Sequence, residues 1–525
     1  MSAAPVLGAA AGKVVAAAEL ARACAAEISC TGSDSVAPSG AGRLATFVAL
    51  PAGAAGTRLV AVVARLGDLV PVEALVGPVP GTEPSYPALT PVVPAAYWYE
   101  REVHDLFGLV PEGHPRLDPL VLPLAPGSPR PAPGAGPAGS EPARGGGAPG
   151  PLEPLEDPLP AHVLGEGVFT IPYGPVRSGV FEAVEYLLES PGEDIDHVRT
   201  RIYHKHRGVE RQFDGRSPGD GALLAERVEG VASVAHALAY CAALERLSGA
   251  VVPVQAELVR SVHAELERIA NHLDSTLRHT EASGQAVAQA RFSLHKERVL
   301  RLRARLCGHR FGRGVVVPGG TRAGLRLPPE GLRRELGSIL RPLRADMRLL
   351  LETPSFLDRL RATGVLSPEV AARHGALGPV GRGSGLDEDV RLSRPYGAYP
   401  RLRLQPSRRD GGDALARQLV RAEEIETSFR LLLQCVEQLS ELGEPERWST
   451  PLEPVDGAAL GWAEAPQGEV LTYVETAGGR LARVKPRSAS FHNLALFSSA
   501  FPKDITTDFA FIEASFGLSI AGAAG

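Results

Sequence analysis

Residues 226–247 read ERVEGVASVAHALAYCAALERL, with apolar side chains recurring at helical spacing. The pattern runs from about 219 to 248 and predicts one helix, on which Glu229, Ser233, His236 and Tyr240 stand at i, i+4, i+7 and i+11 and so share a face. A buried glutamate and histidine placed this way can exchange a proton near neutral pH. The same residues also fit a plainer role, with Glu229 complementing the positive helix end and His236 a satisfied core residue. On either side, helical spacing recurs over about 252–282, 284–308, 329–352 and 413–443, so most of the chain reads as a helical bundle. In AELERIANHL the residues Glu265, Glu267, Arg268 and His272 predict i, i+3 and i, i+4 charge pairs along a helix surface.

Strand-like alternation marks the flanks of this bundle. GVFTIPYGPVRSGVFEAVEYLLES and DIDHVRTRIYH predict a small antiparallel sheet, and GEVLTYVETAGGRLARVKPR predicts a hairpin around Gly478-Gly479, followed by a helical or extended tail to Gly525. Residues 126–161 are almost entirely Pro, Gly, Ala and charge, too poor in apolar surface to offset their ordering entropy. They predict a linker between an N-terminal domain, 1–125, and a large domain, 162–525. In the first domain an amphipathic helix over about 1–28 precedes the β-like runs RLATFVAL, TRLVAVVARL and VPVEALV, an α+β pattern.

Composition excludes several classes. With 44% hydrophobic and 22% charged residues and a net charge of -5 over 525 residues, the chain is an ordinary globular one without a basic stripe for nucleic acid. Five lysines (Lys13, Lys205, Lys296, Lys485, Lys503) among 55 basic residues point to a GC-rich genome. No apolar run is long enough for a transmembrane segment. The cysteines Cys24, Cys30, Cys241, Cys307 and Cys435 form no C-x-x-C pair, so neither a disulfide framework nor a cluster or structural zinc held by this chain alone is expected. Cys241 and Cys307 read as core residues.

In YWYEREVHDLFGLVPEGHPRLDPLVLP, residues 97–123, the groups Glu100, Arg101, Glu102, His104, Asp105 and His114 singly suggest ion pairs on a loop. As an ordered set, E-R-E-x-x-D-L-F-G-L followed by G-H-P resembles the signature of the C-type subunit of respiratory complex I and of the equivalent domain in energy-converting hydrogenases. YHKHRGVERQ, ERVEGVASVAHALAYCAALERL, VRSVHAELERIANHLDS, PGGTR, GWAEAPQGEVLTYVETAGGRLARVKPRSASFHNL and FIEASFGLS occur in the order seen in the D-type subunit of complex I and in large subunits of membrane-bound nickel-iron hydrogenases. Together they resemble the formate-hydrogenlyase type (group 4) of large subunit, or a fused C/D-type subunit of complex I. The implied fold is an α+β domain, like the C-type subunit, followed by a mainly α, hydrogenase large-subunit-like domain with a small antiparallel sheet. For the 97–123 segment the resemblance implies packing against neighbours and no chemistry.

A nickel-iron centre needs four thiolates, whose softness and charge hold both metals. The family carries them in R-x-C-G-x-C-x-x-x-H and a C-terminal D-P-C-x-x-C-x-x-H. Arg227, Gly230 and His236 match the first motif, but the thiolate positions hold Glu229 and Ala232; in the second they align with Ser519 and Gly522. Such hydrogenases also carry a cleavable extension after the last ligand, where this sequence ends at Gly525. No metal ligands are therefore expected, and the sequence fits the hydrogenase-related branch that has left hydrogen chemistry. A complex I quinone pocket would use a histidine and a tyrosine; Arg177 and Gly230 stand there, and Gln467 replaces an arginine usual near the centre.

The resemblance implies a peripheral, cytoplasm-facing large subunit attached to the inner face of the cell membrane through its partners. These would be an iron-sulfur small subunit with a four-iron cluster, ferredoxin-like subunits and antiporter-like membrane subunits. Glu229 and His236 become a candidate proton-carrying pair, with Arg177, Arg227 and Gly230 lining a cavity for an acceptor, of which a quinone is one candidate. The alternatives are an NADH-quinone oxidoreductase C/D-type subunit with a modified quinone pocket, and a scaffold whose cavity is closed by residues such as Phe511 and Phe516.

Overall fold

The computed structural model describes residues 12–29, 42–65, 67–78, 83–124, 128, 130, 167–177 and 182–525. Apart from Ser128 and Arg130, the linker expected at 126–161 lies outside the described residues, as do residues 1–11 and Cys30.

Strand β1 (Lys13–Ala16) is followed by helix α1 (Leu20–Ser29) and by strands β2 (Arg43–Pro51), β3 (Thr57–Arg65) and β4 (Asp68–Val76). The last three form an antiparallel meander and β1 joins β4 in parallel, giving the order β1-β4-β3-β2. The continuous helix expected over the first 28 residues is thus corrected: the tandem Val14-Val15 pairs with Glu73 and Ala74 at the sheet edge, and the helix starts only at Leu20. Helix α2 (Tyr97–Phe107) carries the signature segment and ends at Gly108 in the left-handed conformation. Its charged residues are buried on a helix, not paired on a loop: Glu100, Arg101, Glu102 and Asp105 are all in the interior.

The large domain opens with the expected antiparallel sheet, β5 (Phe169–Tyr173), β6 (Glu185–Ser190) and β7 (His197–Arg201). Helices α3 (Pro218–Ala225), α4 (Ser233–Ser248), α5 (Val254–Ala282), α6 (Ala286–Cys307), α7 (Pro329–Leu351) and α8 (Ala414–Leu442) follow. The single helix expected over 219–248 is therefore broken at 226–232. The carboxylate of Glu267, on α5, accepts the backbone N–H of Val234 at 2.9 Å and of Ala235 at 3.1 Å, first-turn donors that need an external partner, and so sets the start of α4 at Ser233. Helices α5 to α8 enclose an aliphatic core that includes Leu258, Leu266, Leu302, Leu336 and Leu432.

A second meander comprises β8 (Gly457–Ala465), β9 (Gly468–Ala477) and β10 (Arg480–Arg487); β9 and β10 are the expected hairpin. Gly461 lets β8 lie on α4, since a Cβ there would come 1.9 Å from the carbonyl oxygen of Ala239. The tail folds as α9 (Ala489–Leu494), α10 (Phe509–Phe516) and α11 (Ile520–Ala524).

The two-residue period of β2 and β3 divides their side chains between two cores. Phe47, Ala49, Leu59 and Ala61 join a cluster with α1, α2 and the tail residues Phe491, Phe497 and Phe516. Val48, Leu50, Val60 and Val62 pack on Leu460, Leu471 and Tyr473 of the second meander. The N-terminal sheet is consequently covered on both faces, which is why almost every position of β2 is buried.

Candidate functional site

Glu229 sits in the turn between α3 and α4, not on the face of α4 predicted for it, yet the turn brings it to His236. The His236 Nε2 donates to Glu229 Oε2 at 3.1 Å, and the Ser490 hydroxyl donates to Glu229 Oε1 at 3.0 Å. Both members of the pair are 1% exposed. The other two residues of the expected stripe turn elsewhere: Ser233 Oγ donates to the Gly230 carbonyl at 3.3 Å, and the Tyr240 hydroxyl to Pro218 O at 2.8 Å. The helix-end role that Glu229 could have played belongs to Glu267, whose carboxyl is raised by burial while Arg303, 3.6 Å away, pulls it down.

The four positions aligned with thiolates converge here. Ser490 accepts the backbone N–H of Ser519 at 3.0 Å, and Ser488 donates to the Gly522 carbonyl at 2.7 Å, so α9 clamps the start of α11 over Glu229. Gly522 is required by the contact, because a Cβ there would lie 2.6 Å from Glu229 Oε2. Ser519 Oγ donates to Glu182 at 3.0 Å and caps α11 through the Gly522 N–H at 3.3 Å. Ala232 is buried against α3 and α4. One carboxylate already bonded at both oxygens, one methyl, one engaged hydroxyl and one glycine do not fit a nickel-iron centre. Among the described residues no set of three His, Cys, Asp or Glu side chains is arranged for a metal ion, and burial pushes the Cys241 thiol upward, away from the thiolate.

Beside this clamp lies a cavity of about 270 Å³ with Arg177, Glu182, Tyr186, Lys296, Glu513 and Ser519 in its walls. Arg177 donates to both oxygens of Glu513, at 3.0 and 2.6 Å, and the Tyr186 hydroxyl donates to the same carboxylate at 3.3 Å. Burial pulls the Arg177 pKa down, but the Glu513 contact outweighs it and leaves the guanidinium raised. Tyr186 is held well above its ordinary value by burial and then by the Glu513 charge, so it stays a neutral donor. Phe516 forms part of the wall, whereas Phe511 packs in the α5–α8 core. Of the other lining candidates, Arg227 is exposed and bonds back to the Leu223 carbonyl, and Gly230 lies at the surface next to Val231, which reaches the cavity. Gln467 is buried, and neither its amide oxygen nor its nitrogen finds a partner among the described residues.

Behind the cavity, Glu265, Arg268 and His272 of α5 do not form a surface ladder. The expected i, i+3 pair forms, Arg268 Nε donating to Glu265 at 3.3 Å, but all three are fully buried and joined to other elements as well. His272 Nε2 donates to Glu424 of α8 at 2.8 Å, Arg382 bonds Glu424 at 2.8 Å and Glu464 at 2.9 Å, and Arg391 reaches Glu265 at 3.1 Å. The guanidinium groups overcome burial and hold Glu424 well below the carboxylate range; Glu464, facing the Asp389 charge, is raised by burial.

The signature of α2 has a structural reading. Glu100 accepts the N–H of Leu89 at 2.7 Å and of Thr90 at 2.9 Å, and Asp105 those of Leu120 and Val121 at 2.7 and 2.9 Å. Arg101 donates to the carbonyls of Asp118 and Pro119 at 2.8 and 3.0 Å. Glu102 accepts from Lys485 of β10 at 2.6 Å, so the neighbour this segment packs against is the large domain of the same chain.

Comparison with known proteins agrees with this layout. Residues 43–129 match the respiratory-chain NADH dehydrogenase 30 Kd subunit, residues 207–274 the nickel-dependent hydrogenases, and residues 285–453 the respiratory-chain NADH dehydrogenase 49 Kd subunit. The chain is 32% identical to the carbon monoxide-induced hydrogenase of Rhodospirillum rubrum, over 62% of this chain and 90% of that one. It is 29% identical to formate hydrogenlyase subunit 5 of Escherichia coli, over 79% of this chain and 72% of that one. A chain in the structure of the membrane-bound sulfane sulfur reductase, an archaeal respiratory membrane complex, superposes with a TM-score of 0.64 at 24% identity, covering 69% of this chain and all of that one.

Proposed function

Because the chain belongs to the family that joins the large subunits of nickel-dependent hydrogenases with the 49 Kd subunits of respiratory-chain NADH dehydrogenases, we propose that it is the peripheral large subunit of a membrane-bound, complex I-like oxidoreductase without a nickel-iron centre. On this reading it receives electrons from an iron-sulfur small subunit and couples redox change to ion translocation by antiporter-like membrane subunits. The relatives include a formate hydrogenlyase subunit and a membrane-bound hydrogenase subunit, which supports membership of such an assembly. No helix among the described residues is long and apolar enough to cross a membrane, which fits attachment through partners.

One observation carries the site assignment: a buried hydrogen bond joins Glu229, at the first of the thiolate positions, to His236, the histidine of the same motif, next to a polar cavity. On this reading the Glu229–His236 hydrogen bond is the path along which a proton is handed on. An acceptor in the cavity would meet the Tyr186 phenol, held neutral, and the Arg177–Glu513 pair, whose bidentate contact fixes that wall. A quinone headgroup is one occupant this wall admits; its oxygen would accept from the Tyr186 hydroxyl once that turns from Glu513, in place of the family's donors.

The test is purification from membranes through a tag on this chain. A co-purifying small subunit with cluster-binding cysteines is expected, and its absence would sink the complex I-like reading. In that complex Glu229→Gln should slow turnover with a quinone acceptor by roughly a hundredfold or more, the range for lost proton transfer by a positioned group, while the cluster remains reducible. Turnover and ion movement unchanged across pH 5 to 9 would leave Glu229 a structural residue and favour the scaffold reading.

A further inference from the structure

A larger cavity, of about 590 Å³, has Leu494 in common with the first and lies at the seam between α2 with its following loop, strand β7 and the segment after α9. Strand β7 reads HVRTR, and the two-residue period puts His197, Arg199 and Arg201 on one side of it. Arg101 and Arg116 approach from the N-terminal domain, and His374 from the large one.

The charges there are unevenly matched. Four guanidinium groups line the cavity with one carboxylate, Asp118, which bonds Arg116 at 2.5 Å; from outside the wall Glu185 bonds Arg201 at 3.0 Å, Glu189 bonds Arg199 and the Asp105 charge acts on Arg101. The hydrogen bonds of Arg101 go to backbone carbonyls. Burial and then the charge of Arg116 press the Arg199 pKa downward, and its Nε and Nη1 are buried with no hydrogen-bond partner among the described residues. His374, pushed down to about 4 by burial and Arg373, is neutral at physiological pH, and its buried Nδ1 also lacks a partner. Burial likewise lowers His197. Orphaned cationic donors cost stability unless an acceptor meets them, and two guanidinium groups that repel one another are relieved by a dianion between them.

We propose that this seam is a binding site for a phosphomonoester of nucleotide size. Guanidinium forks match phosphate oxygens, and the neutral imidazoles with the hydroxyls of Ser498 and Ser499 supply further donors. The volume exceeds what an inorganic phosphate fills and falls in the range of small-molecule sites. Tyr97, stacked on His114 and met by Arg101, and Tyr203, beside His204, add aromatic edges to the wall for the organic part. The proposal does not rest on the function proposed for the Glu229 region.

The experiment titrates the purified full-length chain with adenosine monophosphate, adenosine and inorganic phosphate, reading heat of binding and tryptophan fluorescence, since Trp98 lies in the wall. Adenosine monophosphate should bind, inorganic phosphate should compete with it, and adenosine should bind roughly tenfold or more weakly, as expected for loss of charged hydrogen bonds. Arg199→Gln should weaken the nucleotide by a similar factor. Arg116→Gln, at a more exposed position, provides the same reading should the first variant misfold. Arg227→Gln, remote from the seam, should leave binding unchanged. The proposal is overturned if the nucleotide does not bind, if adenosine binds as tightly, or if neither seam variant weakens binding more than Arg227→Gln does. Protection of the seam only within the assembled complex, without nucleotide binding by the isolated chain, would assign it to an acidic partner segment instead.

Discussion

At Glu229, the loss of the thiolates and the closing of the site are one structural event. The carboxylate is held by His236 on one oxygen and Ser490 on the other, and its Oε2 fills the space that a side chain at Gly522 would need. A flexible glutamate could ordinarily swing aside, but this one cannot move without breaking a buried bond. Gly522→Ala should therefore destabilise the protein by about 1–3 kcal/mol, the usual cost of overpacking a core, and displace Glu229 from His236. In the Glu229→Ala background the same glycine change should cost less, by an interaction energy of roughly 0.5–3 kcal/mol. Urea denaturation of the four proteins measures both quantities, and strictly additive losses would show that the close approach relaxes without consequence. Glu229, His236, Ser519 and Gly522 are legible in the sequence because each stands in a motif. Ser490 lies in a motif stretch, yet neither its bond to Glu229 nor that of Glu182 to Ser519 is legible, since bonding to a distant residue leaves no local pattern.

The helix α5 shows at the next scale what period alone can and cannot predict. Its bounds, and those of α6, α7 and α8, lie within two residues of the periodic stretches, because an apolar stripe of 3.6 residues per turn is local information. The charged residues of α5 read as surface pairs, whereas Glu424 and Arg391 meet them in the interior from segments more than a hundred residues away. The break between α3 and α4 is equally hidden, since the capping carboxylate is supplied by α5. Burial also shapes the pH response of α5. It lowers His263 to about 3, with Arg303 adding to the effect. It lowers His272 and His279 to about 4 despite their bonds to Glu424 and Gln418. Between about pH 4 and 6.5 the unfolded chain binds these protons and the folded chain does not, so stability is lost as pH falls through that window, on the order of 1–2 kcal/mol per histidine by pH 5. Asp504, raised to about 6 chiefly by burial, works oppositely over the same range because its folded form holds the proton. Three histidines outweigh one half-buried aspartate. The urea midpoint should fall between pH 7 and pH 5, with a smaller fall in His279→Gln and a larger one in Asp504→Asn; a midpoint that rises on acidification would contradict the assignment of neutral buried imidazoles.

For the whole molecule, the composition of 126–161 suggests two independent domains, while the described residues on its two sides share their interior. Phe47, Tyr86 and Trp98 lie in one core with Phe491 and Phe497, and the other face of the first sheet packs on Leu460, Leu471 and Tyr473. Polar contacts follow the same seam. Lys485 donates to Glu102 at 2.6 Å and to Glu210 at 2.5 Å, Arg43 to Glu469 at 2.9 Å, and Arg487 to the Ala45 carbonyl at 2.9 Å. Burial raises the Glu102 carboxyl, while the same Lys485, with Arg483, overcomes burial at Glu210 and lowers it, so the lysine is shared between a carboxylate that resists ionising and one that is firmly ionised. Lys485 keeps Glu210 when Glu102 is removed, so Glu102→Ala should cost about 1–3 kcal/mol, the range for a lost buried hydrogen-bond partner, and less than the removal of both carboxylates. The interface behaves as a core, not as a contact between domains that move independently. Calorimetry of the full chain should accordingly give one unfolding transition, and cleavage at a protease site introduced within 131–160 should leave both fragments co-eluting as a folded pair. Residues 1–125 expressed alone would expose both faces of the meander and should fail to give a cooperative transition. Two well-separated transitions in the intact chain, or an N-terminal fragment that folds and stays monomeric, would show that the seam joins two finished domains, and would also remove the fixed walls on which the phosphate-ester site depends.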